Sequence, residues 1–181
     1  MKQISEIISM LPIILKRVSI RLFTARDISD DYISWLNDPE VMKFSNQRFI
    51  SHNRETCKDF FNYIQSLDAI FLVIIFQENK VAVGTMTVYF SRNHQTADIG
   101  IMLGNKAFWN IGLGTEALDG VMEFLFKKVG VRKVTSGTLS CNKGMIRICK
   151  KVGMVPDGVR KNQELIKDKP YDIVYFAKFM S

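Results

Sequence analysis

The residues best suited by type and spacing to do chemistry run from Ala97-Asp-Ile-Gly-Ile-Met-Leu-Gly104 into Phe108-Trp-Asn-Ile-Gly-Leu-Gly-Thr-Glu-Ala117. They read as a strand, a glycine loop and the start of an amphipathic helix. Gly112 and Gly114 remove side chains that would hold an anion away from backbone N–H groups. Thr115 opens a helix whose first amides have no intrahelical partner, and the partial positive charge there, on the order of half an elementary charge, suits a phosphate. Gly112-Leu-Gly-Thr-Glu-Ala117 also fits the dinucleotide pattern G-x-G-x-x-A. About twenty residues on, however, where such a unit carries its ribose-binding acid, the chain has Ser136-Gly-Thr138. The lysine of a G-x-x-x-x-G-K-[ST] triphosphate loop is missing as well. The loop therefore reads as a diphosphate cradle, against the plainer alternative that its glycines serve turn geometry alone.

The elements that must position this loop follow from hydrophobic period. Val18, Ile20 and Leu22 alternate along Lys16–Phe23 as in a half-buried strand. Ser29–Leu36 and Asn53–Leu67 have helical spacing, the second through Cys57, Phe60, Phe61, Ile64 and Leu67, with Asp38-Pro39 as a breaker between them. Residues 70–76 and 81–90 flank Glu78-Asn79-Lys80 and predict an antiparallel hairpin. Ala97–Leu103 gives the next strand. The helix after the loop carries Leu118, Val121, Met122, Leu125 and Val129 in one stripe and ends at Gly130, a residue suited to a left-handed cap. Lys133–Ser140, Gly144–Lys151 and Asp172–Phe179 then read as strand, short helix and closing strand. A meander followed by β-α-β connections predicts one α+β domain over residues 15–181 with a mixed, mostly antiparallel sheet, and an N-terminal extension over 1–14.

Composition narrows the class. Apolar residues make up 47 % and charged ones 24 %, which fits a globular chain, and the longest apolar run, Ala69–Phe76, is too short to span a bilayer. Residues 4–15 have some likeness to a signal-peptide core, but Glu6 and Pro12 interrupt them, which argues against secretion. Cys57, Cys141 and Cys149 are odd in number and lack C-x-x-C spacing, so neither a disulfide framework nor zinc is expected, and a reducing cytoplasm is the expected location. His52 and His94 fall in no ligand pattern; structural or solvated roles and no metal are expected. The net charge of +7 is uneven, since residues 127–169 hold twelve Lys or Arg against three acids, a local +9, and the rest sums to −2. With no interleaved aromatics and no groove-reading motif, a phosphorylated small molecule is a simpler partner than nucleic acid.

The loop and a second segment resemble the GNAT acyltransferase family, in a branch similar to ribosomal-protein N-terminal acetyltransferases, over Lys16–Lys178. The family's Q/R-x-x-G-x-G/A loop is matched by Trp109-Asn-Ile-Gly-Leu-Gly114, with Trp at the first place. Its N-x-x-S-x-x-x-Y-x-K-x-G-F segment is matched at Asn142, Lys151 and Gly153. Leu22–Asp27 and Trp35-Leu-Asn-Asp-Pro-Glu-Val41 are similar too. The resemblance implies a GNAT-like domain of about six or seven strands flanked by about four helices. It implies acetyl-CoA as co-substrate and direct transfer of acetyl to a primary amine, at a protein N-terminus or on a nucleotide-linked sugar. It places the CoA diphosphate on Trp109, Asn110, Ile111, Gly112, Leu113, Gly114 and Thr115, with Asn142 and Lys151 beside it. The acetyl group and pantetheine then lie on Ile101, Met102 and Leu103, whose backbone can stabilise an oxyanion.

Two departures bear on mechanism. Cys149 stands where many members have a tyrosine that protonates the leaving thiolate, and Met145 stands where they have serine. A thiol with a reference pKa of about 8.5 can in principle donate a proton, while simple helix packing is the alternative. Asp98, on the same side of its strand as Gly100, is the first candidate base, and Glu40, in the loop that shapes the acceptor cleft in this family, is the second. Phe44, Asn46 and Arg48 offer a ring, an amide and a guanidinium to a polar or phosphorylated acceptor. The competing reading is a non-catalytic CoA-binding or regulatory module, and a basic RNA-associated protein is a weaker third. A homodimer is common among similar proteins.

Overall fold

The eight-residue apolar run Ala69–Phe76 forms a strand buried on both faces. Ile70, Leu72 and Ile74 enter one buried cluster while Ala69, Phe71, Val73 and Ile75 enter another, which is why this strand shows no polar alternation. The computed structural model describes residues 1–180. The chain runs α1 (Ile4–Ser9), β1 (Ile13–Ile14), β2 (Val18–Leu22), α2 (Asp30–Asn37), α3 (Arg54–Gln65), β3 (Ala69–Phe76), β4 (Ala82–Ser91), β5 (Thr96–Leu103), α4 (Leu113–Phe124), β6 (Lys133–Leu139), α5 (Lys143–Lys151), β7 (Val155–Ile166) and β8 (Lys169–Phe179). The strands form one sheet in the order β1-β2-β3-β4-β5-β6-β8-β7, antiparallel throughout except for β5 with β6.

Helices α1, α4 and α5 cover one face, through Ile7, Leu118, Met122 and Cys149, and α2 and α3 cover the other, through Tyr32, Trp35, Cys57 and Ile64. Each fully buried large side chain contributes roughly 1.5–3 kcal/mol by leaving water. Local signals set the helix ends. Ser29 Oγ accepts from the Tyr32 amide at 3.2 Å and Asn53 Oδ1 from the Thr56 amide at 2.9 Å. Helix α4 runs into a π turn over Leu125–Val129 and stops at Gly130, whose φ of 85° is left-handed.

The expected α+β sheet is present, with one strand more than the upper expectation and with five α-helices. Strand β7 was not foreseen because all but two of its residues, Glu164 and Ile166, are exposed, so no buried stripe marks it. It pairs with β8 through a turn at Lys167 and Asp168, both with positive φ (48° and 60°), the geometry of a two-residue hairpin loop. Residues 1–14, expected as an extension, are built into the domain. Ile7 is wholly buried, the Lys2 amide donates to Val129 O at 3.0 Å, and β1 pairs with β2.

Candidate active site

Strands β5 and β6 pair only at Thr96, Ala97 and Asp98 with Lys133, Val134 and Thr135. Beyond that point they part, and the last tie is the buried Ser136 Oγ donating to Ile99 O at 2.8 Å. Between them lies a cavity of about 620 Å³ reached by residues of β5, β6, the glycine loop and α5, and by the α2–α3 side of the sheet.

Strand parity decides which backbone groups face this cleft. A strand residue points its N–H and C=O the same way, and its neighbours point theirs oppositely. Since Ile99 O faces β6, the N–H groups of Ile101 and Leu103 face the cleft, where β6 no longer pairs with them. Leu103 O is taken by Trp109 Nε1–H at 2.8 Å, so the tryptophan at the head of the loop motif fixes the loop to the strand end. Met102 O lies against Gly84 of β4. Met102 therefore offers the cavity its side chain rather than a backbone donor, which corrects its expected role.

The glycine loop has the shape of an anion cradle. Asn110 and Gly112 are left-handed, at φ 61° and 88°. Helix α4 has no side-chain N-cap, and the Glu116 amide bonds Gly112 O at 3.1 Å, leaving the preceding amides without intrahelical acceptors. Gly114 lines the cavity, and a Cβ there would lie 3.2 Å from Ile148 Cδ1 and 3.3 Å from Leu103 Cδ1. Trp109, Asn110 and Asn142 also line it. Asn142 caps α5 through Met145 N at 3.2 Å and donates to Thr138 Oγ1 at 3.0 Å. Leu113 is buried in the core and Ile111 is exposed, so neither brings a side chain to the cavity, and Thr115 lies outside its wall. Lys151 is also outside, on the outer side of α5 with Lys143, Arg147 and Lys150.

Arg17, which sequence reading missed, holds the loop from behind. Its Nε donates to Glu116 Oε2 at 2.7 Å, its amide to Glu116 Oε1 at 2.6 Å, and Nη1 to Ile111 O at 2.7 Å. Burial works against the Glu116 carboxylate, but the Arg17 amide and guanidinium outweigh it and keep its pKa below the usual range. Arg17 sits 99 residues before Glu116, so no local pattern could have revealed it.

The α2–α3 side of the cavity is mainly apolar and aromatic, with Leu36, Met42, Phe44, Phe60 and Phe71 beside Tyr32 and Cys57. Burial pushes both the Tyr32 hydroxyl and the Cys57 thiol up. Glu40 reaches the wall but pairs with Lys106 at 3.1 Å. Lys106 also holds Asp38 at 2.7 Å, which keeps that carboxyl below its ordinary range. His52, expected to be structural or solvated, lines the cavity.

Five of the expected site residues need correction. Asp98 is outside the cavity wall, where its carboxylate accepts from Thr135 Oγ1 at 2.5 Å. Burial raises its pKa, and Thr135 opposes the rise. Cys149 is wholly buried against α4, with burial pushing its thiol up to about 11, so it faces the core rather than a leaving group. Asn46 donates to Glu164 Oε1 at 3.0 Å and Arg48 to Leu165 O at 3.1 Å. Both side chains tie the α2–α3 loop to the tip of the β7–β8 hairpin instead of facing the cavity. Lys151 belongs to the outer face of α5, as described above.

The family model of the Acetyltransferase (GNAT) domain matches residues 17–155. The chain belongs to this family and is an acetyl-CoA-dependent acetyltransferase. The uncharacterized N-acetyltransferase YnaD of Bacillus subtilis (strain 168) is 26 % identical over 162 residues, covering 90 % of this chain and 93 % of that protein. Among solved structures, the GNAT-family acetyltransferase from Bacillus anthracis superposes with a TM-score of 0.80 at 21 % identity over 94 % of this chain and 99 % of that one. RimL, a ribosomal L7/L12 alpha-N-protein acetyltransferase in complex with coenzyme A, gives a TM-score of 0.83 at 14 % identity over 94 % and 98 %. At these identities the two structures support the fold.

Proposed function

We propose that this acetyltransferase moves the acetyl group of acetyl-CoA to the α-amine at a protein N-terminus. The observation that carries the reading is the single cavity that joins the glycine cradle, the unpaired Ile101 and Leu103 amides and an aromatic acceptor pocket. Acetyl-CoA supplies an activated acyl thioester. The loop amides and Gly114 suit its diphosphate, and the two strand amides suit the carbonyl oxygen as it gains charge, where one such donor is typically worth about 3 kcal/mol. The acceptor wall disfavours ammonium ions by desolvation and so favours the neutral, nucleophilic amine.

The same wall bears on substrate class. A polyamine needs several carboxylates, but Glu40 is the one acidic residue in the wall and is paired with Lys106, while Lys43 adds a cation. A nucleotide-linked sugar needs paired cations for its two phosphates, and with Arg48 committed to the hairpin the wall offers Lys43 alone. An N-terminal amine followed by an uncharged side chain meets neither difficulty. The test is transfer of labelled acetyl to peptides with free α-amines, to the same peptides blocked at the N-terminus, to spermidine and to a nucleotide-linked amino sugar. Label on the free α-amines is expected; label confined to spermidine or the sugar would overturn the reading.

A further inference from the structure

The cavity poses a proton problem that neither original candidate base solves. An amine arrives in water as an ammonium ion and cannot attack until one proton has gone. Asp98 is not in the wall. The titratable and charged side chains that do face the acceptor pocket are Tyr32 from α2, Glu40 and Lys43 from the loop after it, His52, and Cys57 from α3. Lys43 has no acceptor to offer, Glu40 is held by Lys106, and burial moves Tyr32 and Cys57 away from neutrality. Imidazole is the side chain that ordinarily exchanges a proton between pH 5 and 8.

His52 is held on three sides. Its amide donates to Asn37 Oδ1 at 2.9 Å, its carbonyl accepts from Asn37 Nδ2 at 2.7 Å, and its Nε2 lies 3.1 Å from Gln47 O. A carbonyl can only accept, so this contact requires the proton on Nε2, which leaves a lone pair on Nδ1. No partner for Nδ1 is present among the described residues. The arrangement is that of a base whose tautomer is set by a backbone group.

We propose that His52 Nδ1 removes the proton from the acceptor ammonium, directly or through one water; this rests on the acetyl-transfer reading above. The freed lone pair forms the C–N bond to the acetyl carbonyl carbon and the C–S bond breaks. The second proton on nitrogen passes to the departing sulfur to give the CoA thiol, and the imidazolium returns its proton to solvent. One ammonium and one thioester thus yield one amide, one thiol and one proton.

The chain has two histidines, His52 and His94, so imidazole ¹⁵N resonances are assigned by comparing the parent with His94→Gln, an exposed position. The neutral Nε2–H tautomer is expected for His52, and an Nδ1–H tautomer overturns the proposal without any acceptor being needed. Kinetics use peptides with free α-amines, and spermidine and glucosamine as further probes. His52→Gln is expected to lower kcat by about a hundredfold and to abolish the acidic limb of kcat/KM. The calorimetric Kd for CoA should stay within about twofold, which also reports that the variant folds. A variant that keeps both rate and limb overturns the proposal. Label on spermidine or glucosamine alone would refute the N-terminal reading while leaving the His52 limb measurable, so the two failures are distinguishable.

Discussion

At Gly114 a side chain would meet Ile148 and Leu103 within 3.3 Å at its first carbon, so Gly114→Val closes the cradle from inside. The expected result is at least a tenfold weaker calorimetric Kd for CoA, a change of about 1.4 kcal/mol. Asp98 gives a contrasting case. Because its surroundings on the strand partly desolvate this exposed carboxyl and raise its pKa, the folded state keeps, to a degree that solvent reduces, a proton that the unfolded chain has lost between the ordinary carboxylate range and the raised value. Stability therefore falls as pH rises through that window and the penalty persists above it. Asp98→Asn, which still offers Thr135 an acceptor, should raise Tm at pH 7, lose that advantage below the ordinary carboxylate range, and leave turnover near the parent value. Thermal melts at the two pH values and one rate measurement check all three. The shape of the glycine loop was legible in sequence because the residues that form it, from Trp109 to the start of α4, are consecutive. For Asp98, strand alternation identified the correct face but carried no information on how far along it the cavity extends.

Hydrophobic period located the elements that bury a stripe, which is why β2 to β6, α2 to α5 and β8 were foreseen and β7 was not. The missed hairpin matters because its tip is tied to the loop between α2 and α3. Arg48 Nη1 donates to Ser45 O at 2.7 Å within the loop, while Nη2 reaches Leu165 O across 117 residues of sequence. Long-range pairing of this kind leaves no local trace, so an arginine beside a ring and an amide read as a ligand grip. Arg48→Ala should release the two elements from each other. Expected are faster amide exchange over residues 161–168 and a several-fold higher KM for the acceptor with the CoA Kd unchanged. Unaltered exchange would show that the hairpin is held by its pairing with β8 alone.

Across the molecule, the excess positive charge is concentrated in the C-terminal third, and Lys143, Arg147, Lys150 and Lys151 share the outer side of α5. None of the four enters an ion pair among the described residues. Such a field attracts a polyanion such as CoA over distances near the Debye length, which shrinks from about 30 Å at 0.01 M salt to about 8 Å at 0.15 M. Stopped-flow association rates for CoA should therefore fall severalfold across that range, with dissociation changing much less. The sheet order has a different consequence. From β1 to β5 each strand pairs with the next one made, so the N-terminal half can complete its ladder of neighbouring contacts before β6 leaves the ribosome. The cleft is then a seam closed late in synthesis between an early half and a late half. A molecule lodged across it acts as a fastener, holding the closed seam more firmly the more of it is present.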